Sequence, residues 1–105
     1  MIEVNVHGDT ADKLASGTIN LTTTNITQVI TRTGLSPDKG VQFKAGLDNA
    51  GVVYVGDAFI TSNVAEEYCG FPLDAGESVF LPVSDVTILY AKAGTANDKL
   101  HWVVL

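Results

Sequence analysis

Apolar and polar residues alternate along short stretches of this chain, with the two-residue period of a β-strand. Ile2, Val4 and Val6 alternate with Glu3, Asn5 and His7, which predicts a half-buried first strand ending at Gly8 and Asp9. Residues 10–16 read as a short helical turn, capped by Thr10 and stopped by Gly17. Alternation resumes over 18–21. After a polar break of threonines and Asn25, residues 26–31 predict a strand with Ile26, Gln28 and Ile30 on one face. Pro37, Asp38 and Lys39 mark 34–40 as a loop. Val41, Phe43 and Ala45 alternate with Gln42 and Lys44, giving another strand.

The stretch 51–56 differs. Val53 and Val55 would face one way and Val52 and Tyr54 the other, so both faces are apolar. A strand of that kind is covered on both sides. Because only 48–51 separate it from the strand before, the two are expected to form an antiparallel hairpin. Past Asp57 the pattern weakens. Asn63 and Glu66 have the spacing of a capping box, and Gly70 and Pro72 stop anything that starts there. The expectation is a long excursion over 57–76 containing a helical turn, a place where function often lies. Residues 77–83 read as a strand with Val79, Leu81 and Val83 inward and Phe80 outward, and Pro82 places it at a strand end or edge. Residues 86–91 read as a second strand apolar on both faces. Leu100, Trp102 and Val104 form a closing strand that runs to the last residue. About eight short strands with regular turn signals and no amphipathic helix predict an all-β fold, an antiparallel β-sandwich or jelly roll. It would be one domain over 1–105, with 1–7 as an N-terminal arm or edge strand.

Composition narrows the function. A chain of 105 residues with 46% hydrophobic residues can bury a core without staples. Charged residues make up 17%, below the usual quarter or so. The resulting surface of Thr, Ser, Asn and Gly suits a β protein or one partly covered by partners. Net charge is −6, and Lys13, Arg32, Lys39, Lys44, Lys92 and Lys99 are scattered along the chain. Direct binding of nucleic acid or of an anionic membrane is not expected from such a pattern. Cys69 is the single cysteine, so no intramolecular disulfide can form, which fits intracellular folding. Glu3 stands where a signal peptide would be basic, and neither a signal nor a membrane span is expected. The sequons at Asn20 and Asn25 read as chance matches in a threonine-rich chain.

Candidate chemistry is sparse. Cys69, His7 and His101 have no nucleophile-and-base spacing, and His101 should face away from its neighbour Trp102. Asp48, Asn49 and Asp57, and the pair Asp9 and Asp12, follow no calcium-loop spacing and read as turn residues. A structural calcium is the one metal they leave open. Residues 51–56 lack the ending of a phosphate loop, and Glu66, Glu67 and Glu77 sit in loop-like contexts rather than as a catalytic pair. The expectation is no catalytic residue, no cofactor, no metal and no enzymatic activity. Phe59, Tyr68 and Phe71 all fall in the excursion. They either pack over one end of the sandwich or anchor an interface, where aromatics far from charge do most of the binding.

The run Asn49-Ala50-Gly51-Val52-Val53-Tyr54-Val55-Gly56, then Leu73-Asp74-Ala75-Gly76-Glu77-Ser78-Val79, then 86–90 and a glycine turn before a final strand, resembles small virion proteins of tailed bacteriophages. The likeness covers 41–105, and the first forty residues lie outside it. It implies a β-sandwich of the capsid decoration (cement) type, with no catalytic residues, often trimeric, clamping neighbouring subunits of the major capsid protein shell from outside. Localisation would be the virion, assembled in the host cytoplasm. The N-terminal residues Met1, Ile2 and Val4 and the excursion residues Phe59, Tyr68 and Phe71 are the expected partner contacts, since termini and long loops can reach a partner. The alternative is a neck, tail or fibre-associated virion module that binds host-surface carbohydrate.

Overall fold

The computed structural model describes residues 15–63 and 65–105. Eight strands follow in order: β1 (Ala15–Leu21), β2 (Thr27–Gln28), β3 (Val41–Ala45), β4 (Val53–Gly56), β5 (Phe71–Leu73), β6 (Ser78–Leu81), β7 (Tyr90–Ala93) and β8 (Asp98–Val104). A single 3-10 turn, Val86–Ile88, precedes β7. The strands form two four-stranded sheets, β1-β8-β3-β6 and β2-β7-β4-β5, with every neighbouring pair antiparallel. The alternating side chains of both sheets meet in one core, so the fold is a β-sandwich. Each strand in the first half pairs with its mirror in the second: β1 with β8, β2 with β7, β3 with β6 and β4 with β5. The chain is thus one long hairpin, with its tip between β4 and β5, folded over on itself.

The period-two pattern explains which side chains go in. In β3, Val41, Phe43 and Ala45 are fully buried while Gln42 and Lys44 are exposed. In β8, Leu100, Trp102 and Val104 are buried while Lys99 and His101 are exposed. Burying each large aliphatic or Phe side chain contributes about 1.5–3 kcal/mol. Trp102 also sets a local demand on the edge strand. It pairs with Gly17, and a methyl added there would lie 2.5 Å from its ring. Gly17 therefore sits inside β1, where its lack of a side chain admits the indole. It is not the stop of a helical turn, and Ala15 and Ser16 already belong to the strand.

Three further expectations are corrected. β3 and β4 do not form a hairpin. Both sides of β3 are taken, by β8 and β6, and the turn after it carries the chain to the other sheet. The 86–91 stretch is not one strand, because the Asp85 carboxylate accepts the Thr87 hydroxyl and backbone N–H and turns the chain, so β7 starts at Tyr90. The 26–31 strand shrinks to Thr27–Gln28, after which Val29 and Ile30 are both buried. The 77–83 strand shortens to β6 (Ser78–Leu81), which is an edge, and Val79, Leu81 and Val83 pack against the core as expected. The strand read at Ile2, Val4 and Val6 lies outside the described residues.

Candidate functional site

The β4–β5 connection is the site the sequence singled out, and β5 ends the excursion at Phe71 rather than at residue 76. Its ends are zipped together. Thr61 N–H donates to Tyr68 O at 2.9 Å, and Gly70 N–H donates to Thr61 O at 2.9 Å. Between them Asn63 makes a turn, accepting Ala65 N–H at 3.0 Å and donating to Glu66 Oε1 at 3.2 Å. The capping-box spacing therefore serves a turn. Asp57 tightens the entry by accepting Phe59 N–H at 2.9 Å.

Ile60 fastens this loop to the sandwich. It is buried yet stands apart from the main core. A methyl added at Gly56 would lie 2.5 Å from Ile60 Cγ2, and one added at Gly70 would lie 3.2 Å from its Cδ1. Two glycines thus open the slot that the isoleucine fills. Gly56 alternates with the inward Val53 and Val55, so the slot lies on the outer side of the β2-β7-β4-β5 sheet, beside the half-buried Tyr54. The outer side of β4 is covered in part by this loop, which fits the two-sided apolar pattern of 51–56.

With the loop pinned, its aromatics stay outside. Phe59 is 77% exposed, Tyr68 66% and Phe71 55%. Phe59 and Tyr68 lie in the connection, and Phe71 starts β5 opposite Val55. Cys69 lies between them, half-buried, with its thiol 3.3 Å from Gly70 O. The expected contacts Met1, Ile2 and Val4, and His7, lie outside the described residues.

The opposite sheet holds an arrangement the sequence reading missed. Its outer face carries a groove of about 870 Å³ lined by β1, β3, β8 and the turn after β3. The register sets Thr18, His101, Lys44 and Ser78 side by side across it, with Lys99 two residues along from His101. His101 faces away from Trp102 as expected, and its Nδ1 lies 2.7 Å from Thr18 Oγ1. The outward positions of Lys44 and Lys99 were legible, but their meeting depends on pairing between strands more than 50 residues apart, for which the sequence has no local signal.

That groove is closed at one end by a clamp. The Asn49 side chain accepts Lys99 N–H and donates to Lys99 O, both at 2.8 Å, as a strand neighbour would. The buried Asp98 carboxylate accepts Ala50 N–H and Gly51 N–H through its two oxygens, both at 2.9 Å. The turn residues Asn49 and Gly51 thereby hold the start of β8. Elsewhere, the Thr87 hydroxyl and then its backbone N–H hold the Asp85 carboxyl below its ordinary value. Among the described residues no three His, Cys, Asp or Glu converge on a metal position, and no helix is long and apolar enough to cross a membrane.

Comparison of the chain with protein-family models, with curated proteins and with solved structures finds no match in any of the three.

Proposed function

We propose that this chain is a bacteriophage capsid decoration protein: non-enzymatic, homotrimeric, and bound to the outer surface of the shell formed by the major capsid protein. The observation that carries this reading is the exposed aromatic pair Phe59 and Tyr68 on a loop pinned by Ile60, with the exposed Phe71 at the start of β5 beside it. An aromatic side chain presents 150–250 Å² or so of surface, and such residues dominate interface energetics when they find a pocket. A loop already held in place loses little freedom on docking, which favours affinity. The nested pairing of strands supports the reading as well, since we take it for the winding of a jelly roll. The N-terminal residues Met1, Ile2 and Val4 form the second contact in this account.

The mechanism is mechanical. Each subunit buries surface against more than one shell subunit, so expansion or rupture must first break those contacts. The net charge of −6 helps keep nucleic acid off the particle surface. Co-sedimentation with expanded shells tests the reading. Saturable binding is expected, weakened at least roughly tenfold by Phe59→Ser with Tyr68→Ser, an amount equal to about 1.4 kcal/mol. Both residues are exposed, so the fold should survive the change. No binding by the unaltered protein, or unchanged binding by the double variant, would contradict it.

A further inference from the structure

We propose that the outer face of the β1-β8-β3-β6 sheet is a binding site for an acidic oligosaccharide, one whose rings carry carboxylate or sulfate groups. It lies on the sheet opposite the aromatic loop and stands independently of the capsid reading.

Charge is the first observation. The protein carries −6 overall, yet the charged strand positions lining this groove are both lysines, Lys44 and Lys99. The carboxylate in the lining, Asp48, sits on the turn at the rim. Among the described residues neither lysine ammonium has an ion-pair or hydrogen-bond partner. Two unpaired cations converging on one face of an acidic protein will attract an anion.

The neutral lining decides what kind of anion. Ser16, Thr18, Gln42 and Ser78 present hydroxyl and amide groups along the same groove. These groups both donate and accept, as sugar hydroxyls require. A volume of about 870 Å³ falls in the range of small-ligand sites and exceeds what a single inorganic anion fills. Nucleic acid fits poorly. Its phosphates need more cations, and no Phe or Tyr lines the groove, while the Trp102 ring packs inward against Gly17 and cannot stack on bases.

Rigidity is the third observation. Lys44, Lys99 and His101 project from paired strands rather than loops. His101 is tied to Thr18 at 2.7 Å, and the backbone of Lys99 is held on both sides of its peptide by Asn49 at 2.8 Å. A site on such a support is pre-organised.

The test is titration of the isotope-labelled 105-residue chain, followed by backbone amide shifts, with four probes. These are trigalacturonate, a sulfated heparin tetrasaccharide, neutral maltotriose and an oligoglutamate peptide. At least one acidic sugar should give saturable shifts centred on Thr18, Lys44, Lys99 and His101. Which of the two binds more tightly tells carboxylate from sulfate recognition. Lys44→Glu and Lys99→Glu should each weaken binding roughly tenfold or more, about 1.4 kcal/mol for a factor of ten. Lys44→Gln and Lys99→Gln, which remove the positive charge without adding a negative one, give the same reading should a glutamate variant misfold. Three outcomes would overturn the proposal: no shifts with either acidic sugar, equal shifts with maltotriose or oligoglutamate, or unchanged binding by the lysine variants.

Discussion

Asp98 shows how much one residue can hold. It is buried, and each of its oxygens accepts a backbone N–H from the turn after β3. Replacing it with Ala leaves two amide donors without partners. Asp98→Ala should cost about 3 kcal/mol and Asp98→Asn about half as much, read from urea unfolding midpoints. Thr61 predicts the opposite sign. Its hydroxyl oxygen is buried at the base of the excursion with no hydrogen-bond partner. Thr61→Val removes that desolvated group, and a gain of up to about 1 kcal/mol is expected in the same assay. Asp85 gives a pH dependence. Its folded pKa lies below the unfolded value because Thr87 donates to the carboxylate. The stabilisation is therefore present above the unfolded pKa and is lost as pH falls through the folded one. Thr87→Ala should flatten this part of the acid limb in a series of unfolding curves against pH, leaving the neutral plateau less stable than in the unaltered protein. Half of this scale was legible in the sequence. Asn49 and Gly51 read plainly as a turn, but their partners at 98 and 99 lie nearly fifty residues away, and nothing local announces them.

At the scale of elements, alternation reported which face of a strand is buried and was silent on which strand lies beside it. The outward and inward positions of β3 and β8 follow the pattern residue by residue. The hairpin expected between β3 and β4 does not form, because closeness in sequence does not specify pairing. A short connection serves equally well to cross from one sheet to the other, and here the Asn49 and Asp98 clamp holds that crossing. Gly17 misled for a related reason. Glycine reads as a stop, yet here it makes room for an indole on the neighbouring strand. The excursion was legible as an excursion, while the slot made by Gly56 and Gly70 for Ile60 was not, since it needs three positions to meet in space. Ile60→Ala should cost about 2 kcal/mol, at the low end for a core truncation because the loop can collapse in part. Amide exchange offers the sharper reading. Protection at Thr61 and Gly70 should fall in that variant while β8 keeps its own, as expected of a locally opening unit. Equal loss in both would mean that the loop and the sandwich open as one.

At the scale of the whole molecule, the two sheets differ in character. One bears a pinned loop with Phe59 and Tyr68 exposed beside Phe71 of β5, and the other bears a polar groove with Lys44, Lys99 and His101. The fold class was legible from the two-residue period and the turn signals, because a strand's burial pattern is written locally. The function was not, because neither face contains a constellation whose spacing names a reaction. The central claim is that this chain binds outside a phage shell through its aromatic loop. The most direct measurement is an image reconstruction of expanded shells incubated with the purified protein. The account predicts trimeric density on the outer surface, with residues 57–71 against the major capsid protein. Bare shells at saturating protein, or density that meets the shell through the β1-β8-β3-β6 face instead, would contradict it.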